Sequence, residues 1–215
     1  MPYRLAIFDF DGTLADSFPW FAGVLNEVAA EHGFRRVDEA EAEELRRCGA
    51  LEILKRLEIP LWKVPAIAAH MRRLKAEAAS SIPLFEGAAE LLAGLSARGV
   101  PAAIVSSDAE ENIRRTLGPD VARAVARFDC SSSLFGKPAK LRRTLKAMGV
   151  RPDDAIYVGD EVRDGEAAAA VSVDFGAVAW GYAHPDALAA LAPRRLFRSF
   201  TELDRALGAG PSSGP

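Results

Sequence analysis

Leu5-Ala6-Ile7 is an apolar run of the kind that forms a strand buried on both faces. It leads into Phe8-Asp9-Phe10-Asp11-Gly12-Thr13-Leu14. Residues two apart on an extended segment face the same side, so Asp9 and Asp11 can converge just past the strand. Gly12 permits a sharp turn with close backbone approach. After Leu14 the spacing becomes helical. Phe18, Phe21, Leu25 and Val28 recur at helical intervals over 16–31, with Gly33 as a stop. Asp38 followed by Glu41 predicts a capping box that opens a helix over 39–47. Leu51, Leu54 and Leu57 mark another helix, ended by Pro60. Val64, Ile67, Met71, Leu74 and Ala78 mark a longer one, ending near Ser80-Ser81-Ile82-Pro83. No strand pattern interrupts 16–82, which predicts a small all-helical unit.

From Leu84 the pattern alternates between strand and helix, which predicts a parallel sheet. Residues 88–98 are helical, with Leu91, Leu92 and Leu95 inward and Gly99 as a stop. Pro101-Ala102-Ala103-Ile104-Val105 is a short buried strand before Ser106-Ser107-Asp108, and Asp108 is expected to cap a helix over 109–117. A strand follows over 124–130. Gly136-Lys137-Pro138 precede a helix carrying Leu141, Leu145 and Met148, stopped by Gly149. Ala155-Ile156-Tyr157-Val158 is a strand ending in Gly159-Asp160-Glu161. A helix over 167–171, a last strand within 172–180 and a helix from Thr201 complete the pattern.

The expected fold class is therefore α/β: a Rossmann-like parallel sheet core over 1–15 and 83–208, interrupted by a helical cap domain at 16–82. The Gly-, Ser- and Pro-rich segment 209–215 reads as a disordered tail. An insert placed directly after the first strand sits over that strand's carboxyl end. Open α/β sheets bind ligands there, so a mobile helical lid over a site is expected.

Composition narrows the function classes. The chain has 215 residues, 49% hydrophobic and 27% charged, with a formal net charge of −3. These values fit a soluble globular protein and point to neither a nucleic-acid nor a membrane partner. No apolar run is as long as a membrane span. The first strand begins almost at Met1, leaving no room for a signal peptide. Cys48 and Cys130 lie far apart in sequence with no disulfide or metal spacing, and buried free thiols in a cytoplasmic protein are expected. His32, His70 and His184 show no ligand spacing and read as structural or exposed.

Four polar clusters fall at successive strand ends: Asp9 with Asp11, Ser106, Lys137, and Asp160 with Asp164. Each has a plain alternative. Asp-Gly is an ordinary turn, Ser106 a turn residue, Lys137 a solvated lysine, and Asp160 with Asp164 a helix-start cap and a surface charge. The plain alternatives do not explain why all four occur together at the carboxyl edge of one sheet.

The chain resembles the haloacid dehalogenase-like hydrolase superfamily, in its phosphoglycolate-phosphatase-like branch. Asp9-Phe10-Asp11-Gly12-Thr13 matches that family's Asp-x-Asp-x-Thr motif, and Ile104-Val105-Ser106 its apolar strand ending in Ser or Thr. Lys137-Pro138 matches its lysine motif, and Gly159-Asp160 through Asp164 its Gly-Asp-x-x-x-Asp motif. The resemblance spans about 3–207 and places the helical cap between the first two motifs. It implies a Mg²⁺-dependent phosphatase acting on a small phosphorylated metabolite. Asp9 would be the nucleophile and Asp11 the general acid and base. Ser106, Ser107, Lys137, Gly12 and Thr13 would hold the phosphoryl group, in part through backbone N–H groups. Asp9, Asp160, Asp164 and the Asp11 backbone carbonyl would hold the metal. A monomer or homodimer is expected.

The family also contains phosphosugar mutases that keep both acids. These tend to carry a histidine soon after the first motif, whereas the first histidine here is His32. A silent binding or regulatory protein is the alternative from another class. Arg46 and Arg47, before a predicted turn, are candidates for a substrate carboxylate or second phosphate. Lys55, Arg56, Arg72, Arg73 and Lys75 read as solvated helix faces, and Trp20 and Phe21 as core.

Overall fold

The computed structural model describes residues 3–130 and 136–208. In chain order the strands are β1 (Leu5–Phe8), β2 (Ala102–Ser106), β3 (Val125–Cys130), β4 (Ala155–Gly159), β5 (Asp174–Val178) and β6 (Arg195–Phe197). The helices are α1 (Phe18–His32), α2 (Glu39–Leu45), α3 (Ala50–Arg56), α4 (Val64–Ala78), α5 (Ala88–Ala97), α6 (Glu110–Arg123), α7 (Lys137–Met148), α8 (Val162–Ala169), α9 (Pro185–Ala189) and α10 (Phe200–Gly208). The strands form one parallel sheet in the order β3-β2-β1-β4-β5-β6. It is the expected α/β class.

Strand periodicity sorts the core onto two faces. Ala6 and Phe8 point into a cluster with Leu91, Leu92, Leu95, Ile113 and Leu203. Leu5 and Ile7 point into another with Leu141, Leu145, Ala167 and Leu188. Full burial of such a side chain contributes roughly 1.5–3 kcal/mol, and a slip of one residue in β1 would turn each set toward the cluster packed for the other. Phe8 pairs with Ile104 on one side and Val158 on the other. Asp9, Ser106 and Asp160 therefore leave three neighbouring strands at one edge.

Helices α1–α4 lie between β1 and α5 and pack around Val28, Phe34, Leu45, Leu57 and Ile59. The two connections to this insert run side by side. Ala15 bridges Leu84 in antiparallel fashion, the Asp16 N–H donates to the Pro83 carbonyl at 2.9 Å, and the Phe85 N–H to the Leu14 carbonyl at 2.9 Å.

Several local expectations are corrected. The sheet continues past β5 into β6, whose three residues are too few to show a strand period. Helix α8 starts at Val162 rather than 167, because its polar first turn turns Asp164 and Gly165 inward. Ala109, not Asp108, is the N-cap of α6, which runs past 117 to Arg123 across a kink at Gly118. Asp38 does cap α2 through the Glu41 N–H at 2.9 Å, but the Glu41 carboxylate pairs with Arg35, so the box is half formed. Leu51 points outward, 64% exposed. Both thiols are half-buried rather than buried, and neither forms a disulfide. The tail at 209–215 lies outside the described residues.

Candidate active site

The first loop is shaped by its own backbone. The N–H groups of Leu14 and Ala15 both donate to the Phe10 carbonyl at 2.9 Å, and the Gly12 N–H donates to Ala15 at 2.9 Å. Gly12 has φ +72°, and a Cβ there would fall 2.2 Å from Asp160 Oδ2. Only glycine meets both the backbone angle and the close approach. Gly181 is crowded against the same side chain, where a Cβ would fall 2.2 Å from that of Asp160. Asp160 is thus clasped between two loops. Thr13 Oγ1 donates to Asp160 Oδ1 at 2.7 Å and the Tyr182 N–H to Oδ2 at 2.7 Å.

Asp9, Asp160 and Asp164 converge so that one carboxylate oxygen from each lies within 4.8 Å of the others, all three residues buried. Lys137, the first residue of α7, ion-pairs with both Asp9 and Asp164. The Phe10 N–H donates to Asp9 Oδ1 at 2.8 Å. Asp164 also accepts from the Tyr157 hydroxyl at 2.9 Å and caps α8 through the Glu161 N–H at 3.0 Å. One aspartate therefore both starts a helix and completes the acid cluster.

The electrostatics follow from this crowding. Burial pushes the Asp9 carboxyl up to about 7, with Lys137 pulling it down. Burial and the neighbouring Glu161 and Asp164 carboxylates push Asp160 well above the ordinary range. Burial also opposes the charge of Asp164, but Lys137 and then Arg163 outweigh it and lower its pKa. Burial disfavours the Lys137 ammonium too, yet Asp164 and Asp9 hold it above its ordinary value. Lys137 thus bridges two of the three buried acids, and Asp9 and Asp160 hold their protons above the ordinary carboxylate range. The cluster fits a hard divalent cation: its donors are all oxygen, which suits Mg²⁺, and a cation would lower the raised pKa values.

Asp11 stands apart. Its carboxylate is gripped by Lys75 of α4, a residue that reads from sequence as a solvated face but is only 7% exposed. Lys75 Nζ also lies 2.7 Å from Asp108 Oδ2. Asp108 in turn accepts from the Ala109 N–H at 2.7 Å and Asn112 Nδ2 at 3.0 Å. Ser106 is buried; its hydroxyl accepts the Asp108 N–H at 3.1 Å and its carbonyl accepts Lys140 Nζ at 2.6 Å. Ser107, beyond the end of β2, is half-buried.

Lys75 and Lys140 were missed by sequence reasoning. Lys140 carried a usable signal, because 137, 140, 141, 144 and 145 make one buried helical stripe that includes both lysines. Lys75 carried none, since its role is set by how α4 docks. Arg46 is engaged by protein partners. It donates to the Tyr182 carbonyl at 2.9 Å and the Gly181 carbonyl at 3.0 Å, while Arg47 reaches Asp186 at 3.0 Å. Arg46 thus ties the insert to the loop that clasps Asp160, and Arg47 ties it to α9 just beyond. Phe21 packs edge-on to the Tyr182 ring, centroids 5.5 Å apart, and Trp20 joins the sheet core.

The chain belongs to the haloacid dehalogenase-like hydrolase family, whose model matches residues 6–178. Within that family it is a phosphatase. It is 31% identical to the phosphoglycolate phosphatase of Synechococcus elongatus, over 94% of this chain and 95% of that one. It is 26% identical to the N-acetylmuramic acid 6-phosphate phosphatase of Pseudomonas aeruginosa, over 86% of each. A solved structure from Lactobacillus plantarum superposes with a TM-score of 0.82 at 25% identity, covering 96% of this chain and all of that one. Among the described residues no helix is long and apolar enough to cross a membrane.

Proposed function

We propose that the chain hydrolyses a small phosphomonoester, of the phosphoglycolate or sugar phosphate type, through an aspartyl-phosphate on Asp9. The observation that carries this reading is the convergence of Asp9, Asp160 and Asp164, with Lys137 paired to Asp9 and Asp164. Asp9, Asp160 and Asp164, with the Asp11 backbone carbonyl, would hold Mg²⁺. When bound, the ion screens the repulsion between carboxylate and phosphate.

The chain's own groups supply the rest. An Asp9 carboxylate oxygen attacks phosphorus and the bond to the ester oxygen breaks. Asp11 gives the departing oxygen a proton. It then takes one from the water that attacks the acyl phosphate, releasing inorganic phosphate and restoring Asp9. Lys137, Ser106 and Ser107 hold phosphoryl oxygens and offset their charge. Thr13 fixes Asp160, and Gly12 keeps the turn open to both. Asp11, which would face the substrate, is held by Lys75 of α4, so in this reading the contact between α4 and the first loop is coupled to the proton transfers.

The test is phosphate release from p-nitrophenyl phosphate, 2-phosphoglycolate, N-acetylmuramic acid 6-phosphate, hexose phosphates and nucleoside monophosphates, with Mg²⁺ and with EDTA. Release that needs Mg²⁺ and falls by at least ~10³-fold in Asp9→Asn is expected. Folded, Mg²⁺-loaded protein that releases phosphate from none of them would refute the reading.

A further inference from the structure

A second group of metal-ligating side chains lies in the helical insert, away from the acid cluster. Glu31 and His32 end α1, and His70 lies within α4, 38 positions further along. The packing of the two helices brings them together. His32 Nε2 is 3.0 Å from His70 Nδ1, and His70 Nδ1 is 3.5 Å from Glu31 Oε1. One ligand atom from each of the three lies within 4.8 Å of the others. The chain contains three histidines, so two of them meet at this one place.

The spacing has a chemical meaning. Bonds of about 2.0–2.1 Å from a tetrahedral ion put neighbouring ligand atoms roughly 3.3 Å apart. The two closest separations here fall on either side of that value. Two imidazoles and one carboxylate form the donor set of zinc sites that keep a fourth position open. Imidazole favours zinc, cobalt, nickel or copper over magnesium, which separates this group from the all-oxygen cluster in the sheet. The His70 side chain is 8% exposed and that of Glu31 60% exposed. One ligand is therefore anchored and the other opens to solvent, giving an ion a way in. Lys63 Nζ donates to the His32 carbonyl at 2.8 Å, holding the end of α1.

We propose that Glu31, His32 and His70 bind a zinc-class divalent transition ion that ties the end of α1 to the middle of α4. The metal-stripped full chain would be dialysed against zinc chloride in excess Mg²⁺, and its metal content measured. One zinc per chain is expected in the wild type and in Asp160→Asn, whose acid cluster is impaired. His32→Ala should weaken zinc binding by at least ~10-fold, and abolish the rise in Tm that zinc gives the wild type. His70 is buried, so His70→Gln serves as the second variant, each variant being checked for native circular dichroism. Cobalt in place of zinc should show the visible bands of a tetrahedral site, absent in His32→Ala. Three results would overturn the proposal: no zinc retained over Mg²⁺, retention unchanged in both histidine variants, or retention lost in Asp160→Asn.

Discussion

Lys75 shows how one residue can serve two neighbours. Its ammonium joins Asp11, which is partly open, to Asp108, which is buried. Truncation of one partner in a buried pair leaves the other charge uncompensated, at a cost of about 3–5 kcal/mol. Lys75→Met should therefore lower stability in urea by about 3 kcal/mol, and adding Asp108→Asn should recover part of that loss. Additive losses in the double variant would show that the two residues are not coupled. Gly12 makes a different demand. Gly12→Ala puts a methyl where Asp160 Oδ2 sits and strains a left-handed turn. Phosphatase activity should fall by at least ~10²-fold while the far-ultraviolet circular dichroism stays native, because a small misplacement of reacting groups is enough for that loss. Wild-type activity in Gly12→Ala would mean that the loop adapts.

At the scale of elements, strand ends were easier to read than helix starts. The apolar runs of β1, β2 and β4 end abruptly in Asp9, Ser106 and Asp160, and that change of polarity marks the strand edge directly. Helix α8 was misplaced by five residues because its first turn is spent on the site: Asp164 is polar in sequence and buried in the fold. A polar residue turned inward for chemistry looks, in a hydrophobic pattern, like a gap between elements. Strand β6 failed for want of length, and Lys75 because an amphipathic helix shows which residues are charged but not what docks against them. Helix α2 offers a control. Asp38 caps it far from the acid cluster, so Asp38→Ala should cost about 1 kcal/mol of stability and leave the kinetics of phosphate release alone. A change in kcat would show that α2 is coupled to the site.

At the scale of the whole molecule, the acid cluster sets a pH dependence whose sign can be worked out. Asp9 has its carboxyl raised from 3.8 to about 7 in the fold, and Asp160 is raised as well. A folded state that holds protons more tightly than the unfolded chain loses stability as pH rises between those values. In EDTA, the Tm difference between wild type and Asp9→Asn should therefore move against the wild type from pH 4 to about 7 and then level off. Mg²⁺ binds the ionised carboxylates, so the Tm gain that it gives the wild type should grow over the same range. An equal gain at pH 5 and pH 8 would contradict the assignment of these groups.

The paired connections at Ala15 and Leu84 also matter to the history of such a chain. The polypeptide leaves the sheet and returns to it at one point, held by a two-stranded clasp. A stretch of gene that begins and ends at such a point can be lengthened, replaced or deleted without changing the distance its flanks must span. On the function proposed above, the sheet groups that act on the phosphate and the insert groups that meet the rest of the substrate would change on separate schedules, save where the two parts touch. Exchanging 16–82 would leave the strand ends in place but would have to supply anew the lysine on Asp11 and the arginine on the Gly181 and Tyr182 carbonyls.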